Sequence, residues 1–151
     1  MSYVSEIFQP NAIAYDLFQL LTDRGELLGN GVSRHVYPYG LDSRMVIKFE
    51  QEENFQNTAE WNVWNHVKYM DIAKWFAPVE FISPCGRILI QRRTQPFKTD
   101  TQLPKSVPAF FTDTKVDNWG MLKGKAVCHD YGYHRLLEMG MTKRMRAPAW
   151  F

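Results

Sequence analysis

Two polar segments stand at the two ends of one short hairpin in this sequence, and that arrangement constrains the fold more than any other feature. The first is Asp113-Thr-Lys-Val-Asp-Asn118 and the second is His129-Asp130-Tyr131-Gly132. Between them, Trp119–Leu122 and Lys125–Cys128 read as strands joined by a Lys123-Gly124 turn. The hairpin carries Asn118 at one end and Asp130 at the other. One amide and one carboxylate suit a hard cation, which takes oxygen ligands and keeps part of its water. The fragment Gly120-Met-Leu-Lys-Gly124-Lys125-Ala126 has the look of a phosphate loop. Its spacing is short, and Ala126 has no hydroxyl for a metal, so that reading is excluded.

Upstream, Pro10 to Arg24 has Ile13, Leu17, Leu20 and Leu21 at helical spacing, with Pro10 suited to a first turn and Gly25 to a stop. Gly29 and Gly31 then flank Asn30. Glycines one residue apart let backbone N–H groups approach phosphate oxygens, although an Asn-Gly hairpin needs no ligand. His35 to Tyr39 reads as a strand, since Val36 and Tyr37 favour one and Pro38 opposes a helix start. A dinucleotide-binding glycine turn would open a helix here, so it is excluded.

Arg44 to Glu50 reads as a third strand carrying Lys48. A strand lysine often lays its stem on apolar surface and keeps its head wet. Phe55 to Met70 reads as a helix with Phe55, Ala59, Val63, Val67 and Met70 on one stripe and Glu60 beside it. A carboxylate bordering an apolar face needs a partner, and Lys48 supplies one, with Glu52 and Glu53 as competitors. Tyr69 to Phe76 reads as a short helix whose aromatics go to the core. Val79–Ser83 and Arg87–Gln91 complete five strands, and the proline-rich stretch from Pro96 to Pro108 reads as an irregular linker. The tail holds a short helix (His134 to Met139), then Lys143, Arg144 and Arg146 as a solvated basic face.

At 151 residues the chain has one domain's length, or that of two small lobes. Hydrophobic content of 45%, with 15% aromatic, is ample for a core and excludes wholesale disorder. A net charge of +2 argues against a dedicated nucleic-acid binder. Two cysteines do not make a disulfide framework, and no apolar run is long enough to span a bilayer. The expectation is a reduced, cytoplasmic protein with neither nucleic acid nor membrane as partner. Cys85, Cys128, His129 and His134 match no structural zinc spacing.

Taken in order, Gly29, Gly31, Lys48, Glu60, the D-x-K-x-x-N segment and the D-Y-G segment resemble the parts of a protein kinase. The resemblance covers roughly Leu27 to Pro148. It implies an α+β, two-lobed, kinase-like architecture: a five-stranded antiparallel small-lobe sheet with one main helix, and a reduced large lobe. The corresponding boundaries are 1–26 for an N-terminal helix packed on the small lobe, 27–94 for the small lobe, and 95–151 for the truncated large lobe.

The same resemblance implies ATP and Mg²⁺ as cofactors. Gly29, Asn30, Gly31, Val36 and Lys48 would bind the nucleotide, with Glu60 holding Lys48. Asp113 would be the base, Lys115 a cation for the moving phosphoryl group, and Asn118 with Asp130 the metal ligands. The implied activity is phosphorylation of a protein hydroxyl, of the Ser/Thr type, with AMP transfer as a lesser variant. The alternative is a kinase-like interaction protein that binds nucleotide or a partner without turnover. Departures from the pattern are Arg34 for the third glycine, which makes the lid bulkier and more cationic, Phe111-Thr112 for His-Arg, and Tyr131 for Phe. Ala147-Pro148-Ala149-Trp150 resembles the A-P-E element, and the stretch from Gln91 to Asp113 is too short for two helices. A partner chain or a second copy would then replace the missing helices. Such pruning suits a compact genome such as a bacteriophage's, acting in the host cytoplasm.

Overall fold

The computed structural model describes residues 21–22, 27–30, 34–50, 54–132 and 143–151. The helix expected over Pro10 to Arg24 lies outside the described residues except for Leu21 and Thr22. Gly31, Glu52, Glu53 and the short helix expected over His134 to Met139 lie outside them as well. The fold is α+β, with one α-helix and antiparallel sheets among the described residues. These residues divide into two compact units. One holds those up to Asn57 together with Val79–Arg93, and the other holds Thr58–Pro78 and those from Thr94 onward.

The first unit is a sheet of β1 (Gly29–Asn30), β2 (Arg34–Pro38), β3 (Met45–Glu50), β4 (Val79–Ile82) and β5 (Ile88–Arg92), in the order β1-β2-β3-β5-β4. Four strands have four to six residues, and the two-residue β1 extends the outer edge of β2. Central β3 is buried along its whole length, because both of its faces are covered. On one face Ile47 and Phe49 pack with Leu21, Tyr37, Tyr39, Ile88 and Ile90. The Tyr37 ring meets Phe49 edge-on at 5.9 Å. The β4–β5 connection turns at Gly86, whose φ of 77° suits glycine, and Ser83 Oγ accepts the Ile88 N–H at 3.0 Å.

Helix α1 (Gln56–Val67) starts one residue later than its spacing predicts. Phe55 has φ 55° and is 63% exposed, so it stands ahead of the helix and off the apolar stripe. Glu50 sets the start: its Oε1 accepts the Gln56 N–H at 2.5 Å and the Asn57 N–H at 3.4 Å. A carboxylate there satisfies two N–H groups with no intrahelical partner and faces the positive end of the helix dipole. The buried stripe is Asn57, Glu60, Val63 and Val67, so Glu60 sits within it and not beside it. Met70 lies beyond the last helical residue, Val67, and is exposed; its N–H closes a turn onto Val67 O.

The second unit is built on aromatic rings. Asp71–Trp75 forms a 3-10 turn, and Tyr69 is exposed, contrary to the core position expected for it. Phe76 stacks on Phe110 at 6.0 Å and meets Tyr131 edge-on at 4.9 Å. Phe111 joins this group to Trp119 at 4.9 Å, and Trp119 meets Trp150 at 5.3 Å. The chain from Gln95 to Asn118 is irregular apart from the 3-10 turns Asp100–Gln102 and Val116–Asn118 and the two-residue β6 (Val107–Pro108). β7 (Trp119–Leu122) and β8 (Lys125–Cys128) form the expected hairpin. Positive φ at Lys123 (50°) and Gly124 (78°) gives the turn whose twist matches its strands. In the tail, β9 (Met145–Arg146) pairs with β6.

Candidate functional site

In the first unit, strand register gathers three of the residues singled out from sequence. Gly29 lies opposite Val36, Val36 opposite Lys48, and Lys48 opposite Leu89. Directly opposed residues share a face, so these four form one cross-strand row. Val36 is half-buried, and the nearest atoms to a Cβ on Gly29 would be those of Val36, at 3.7 Å. Lys48 is buried in the central strand at 2% exposure. A buried ammonium is retained where something compensates its desolvation.

The next row corrects the expectation for Arg34. Arg34 is buried and donates from Nη1 to Asn57 Oδ1 at 3.2 Å, while Asn57 Nδ2 donates to Lys48 O at 3.4 Å. Its guanidinium therefore ties β2 to the first turn of α1 and does not enlarge a cationic lid. Asn57 is the link, and helical periodicity gave no sign of it.

In the second unit, Asp113, Lys115 and Asn118 occupy one exposed loop. Asp113 Oδ1 accepts the Lys115 N–H at 3.2 Å, and Asp113 Oδ2 accepts from Asn118 Nδ2 at 3.0 Å. Because the amide nitrogen faces Asp113, the amide oxygen of Asn118 is turned the other way. Asn118 O in turn accepts the N–H groups of His129 at 2.9 Å and Asp130 at 3.3 Å. The two ends of the hairpin are thereby joined, and Asp113, Asn118 and Asp130 fall within one small region. Lys115 is exposed on the same loop.

This loop is held from the far end of the chain. Arg146 donates from Nε to Phe111 O at 3.1 Å and also from Nη2 to the same carbonyl. Thr114 Oγ1 donates to Ala149 O at 2.7 Å, and the Val116 N–H to Phe151 O at 2.8 Å. The Phe111–Arg146 and Thr114–Ala149 contacts keep a constant separation of 35 residues, so the tail runs beside the loop in the same direction. Trp150 Nε1 donates to Pro104 O at 3.0 Å. Arg146 is thus a structural donor and not part of a solvated basic face.

Among the described residues no group of three His, Cys, Asp or Glu side chains could hold a metal. The oxygen chemistry of Asn118 and Asp130 does fit Mg²⁺, which is commonly held by one or two protein groups, with phosphate and water completing its shell. No described helix is long and apolar enough to cross a membrane.

No protein-family model matches the chain, and no curated protein matches it. Among solved structures, the streptomycin-ATP-APH(2")-IIa ternary complex is similar, with a TM-score of 0.43 and 14% identity over 59% of this chain. The match covers 30% of that chain, so the present one spans less than a third of its length.

Proposed function

We propose that this chain is an ATP- and Mg²⁺-dependent phosphotransferase of the protein-kinase type that acts on a protein hydroxyl. The observation that carries the reading is the joining of Asp113, Asn118 and Asp130 through Asn118. Its amide binds Asp113, and its carbonyl binds the backbone of the Asp130 segment. A base and two oxygen donors for a metal are what phosphoryl transfer asks of a protein, since its catalysis is positioning plus charge stabilisation.

In this reading the acceptor hydroxyl oxygen bonds to the γ-phosphorus as the bond to the β–γ bridging oxygen breaks, and ADP leaves. Asp113 accepts the hydroxyl proton. Lys115 offsets negative charge on the moving group. Gly29, Asn30 and Gly31 would offer backbone N–H groups to phosphate oxygens, Val36 would pack on the nucleotide, and Lys48 would hold the α- and β-phosphates, with Glu60 in the carboxylate role that the kinase resemblance assigns to it. Asn118 and Asp130 hold Mg²⁺, which supplies charge neutralisation at the phosphates. The row Gly29–Val36–Lys48 supports the nucleotide roles because one face of the sheet carries all three.

The test is label transfer from γ-labelled ATP with Mg²⁺, to the chain itself or to a protein acceptor. Activity is expected in the wild type and lost in Asp130→Ala and Asp113→Asn. Transfer that survives Asp130→Ala rejects the assignment. Thermal shift with ATP and Mg²⁺ isolates binding. At a hundred times its dissociation constant a ligand adds about 2.7 kcal/mol, or about 5–10 °C for a chain of this size. A shift without label transfer selects the non-catalytic binder.

A further inference from the structure

His129 lies between the two residues assigned above to the metal, and its ring is engaged at both nitrogens. Nε2 lies 2.7 Å from Asp117 O, and Nδ1 lies 2.7 Å from Thr94 Oγ1. A carbonyl can only accept, so Nε2 carries the hydrogen. In the neutral ring Nδ1 then accepts from the Thr94 hydroxyl. The backbone N–H of His129 also donates to Asn118 O at 2.9 Å. One residue thus grips two consecutive carbonyls, those of Asp117 and Asn118, immediately before Asp130.

Thr94 is itself built into place. Gln95 and Met121 exchange backbone hydrogen bonds of 2.9 and 2.7 Å, which lays the Thr94–Gln95 segment against β7. The approach is close enough that a Cβ at Gly120 would lie 2.5 Å from Thr94 Oγ1 and 2.9 Å from Gln95 O. Glycine at position 120 therefore makes room for the threonine whose hydroxyl orients the imidazole. The chain of contacts runs Gly120, Thr94, His129, Asp117, and it ends at the residue next to Asn118.

We propose that His129, oriented by Thr94, is a positioning residue that sets the separation of Asn118 and Asp130 and so tunes their affinity for a divalent cation. This inference rests on the phosphotransferase reading, because it needs those two residues to hold the metal. His129 does not touch the cation. It acts as the hydrogen-bonded outer shell that fixes the donors, and loss of such partners typically weakens metal binding roughly tenfold to a hundredfold.

The experiment measures Mn²⁺ binding by paramagnetic resonance in the presence of a non-hydrolysable ATP analogue, for wild type, Thr94→Val, Thr94→Ser and His129→Ala. Thr94→Val keeps the shape of the side chain and serves if His129→Ala does not fold, which melting curves decide. The expected result is affinity weakened at least roughly tenfold in Thr94→Val, with Thr94→Ser close to wild type. Nitrogen-15 spectra of the imidazole should show the Nε2–H tautomer in wild type and in Thr94→Val alike, since Asp117 O fixes it, with the Nδ1 resonance moved in Thr94→Val by loss of the hydroxyl that donates to it. A merely structural contact would leave Mn²⁺ affinity unchanged in folded variants. Wild-type binding with equal affinity in folded Thr94→Val overturns the positioning role alone. Failure of the wild type itself to bind Mn²⁺ with the analogue overturns the phosphotransferase reading, and this inference with it.

Discussion

Gly120→Ala should damage the second unit far more than its single added methyl suggests. The new Cβ would sit 2.5 Å from Thr94 Oγ1, 2.7 Å from Thr94 Cβ and 2.9 Å from Gln95 O. The hydroxyl can swing aside, at the expense of its contact with His129. The Thr94 Cβ and the Gln95 carbonyl cannot, because Gln95 is bonded at both its N–H and its C=O to Met121. Backbone must therefore move. Overpacking of this kind costs about 1–3 kcal/mol, and the lost hydrogen bond about 1 kcal/mol more. A total near 3 kcal/mol lowers the melting temperature by about 6–12 °C for a chain of this length. Thermal melts followed by circular dichroism measure this directly. Gly124→Ala is the control, since nothing lies within 4 Å of its Cβ and only its φ of +78° is strained; it should cost about 1–2 kcal/mol. In a Thr94→Gly background the Gly120→Ala penalty should shrink by about 1 kcal/mol or more, because two of the three clashing atoms are gone. A Gly120→Ala protein that melts within a degree of wild type refutes the reasoning, as does an unchanged penalty in the Thr94→Gly background.

Glu50→Ala removes the acceptor for the first two amides of α1 and should cost about 1–2 kcal/mol, as helix-capping losses do. Hydrogen exchange at Gln56 and Asn57 checks it, and unaltered protection there contradicts the assignment. The Arg44 side chain, hydrogen-bonded to Asp42 at 2.9 and 3.0 Å, lowers the Asp42 carboxyl to a pKa of about 2. A folded pKa below the unfolded one adds stability above the ordinary carboxylate range, and that stability is lost as pH falls through about 2. An NMR titration should find that midpoint in wild type and a rise toward, but not fully to, the ordinary carboxylate value in Arg44→Ala, because the residue-44 N–H still donates to Asp42 Oδ1 at 3.0 Å. Trp150→Ala removes the ring packed on Trp119 and the bond to Pro104 O. The side chain is half-buried, so about 2 kcal/mol is expected, below the 3–5 of a fully buried tryptophan. Faster exchange at Val116 should accompany it, and a melt unchanged from wild type would count against the tail as a brace.

What could be read from the sequence was whatever local chemistry repeats or turns. The β7–β8 hairpin follows from Lys123-Gly124, and its positive φ values are those such a turn requires. Strands β3, β4 and β5 follow from β-branched and aromatic runs between turn residues, within a residue or two of their observed ends. Phe55 misled because it fits the helical period, while the start of α1 is set by the Glu50 carboxylate six residues earlier, a contact that periodicity cannot carry. Arg34 and Arg146 misled for a related reason. In composition each is a surface cation, yet one is buried against Asn57 and the other holds the carbonyl of Phe111.

The same distinction explains why the loop from Phe111 to Asn118 could be recognised by its residues but not by its geometry. It has almost no regular structure of its own, only a short 3-10 turn at Val116–Asn118. A backbone without a helix or strand ladder must still satisfy its polar groups. Here they are met by Arg146 and Phe151 on one side and by the His129 segment on the other, while Ala149 O takes the Thr114 hydroxyl. Those partners are distant in sequence, and a two-residue pairing such as β6 with β9 has no period to detect. The loop's shape is therefore a property of the whole second unit. Substitutions in the tail should accordingly disturb Asp113 and Asn118 as surely as changes in the loop itself.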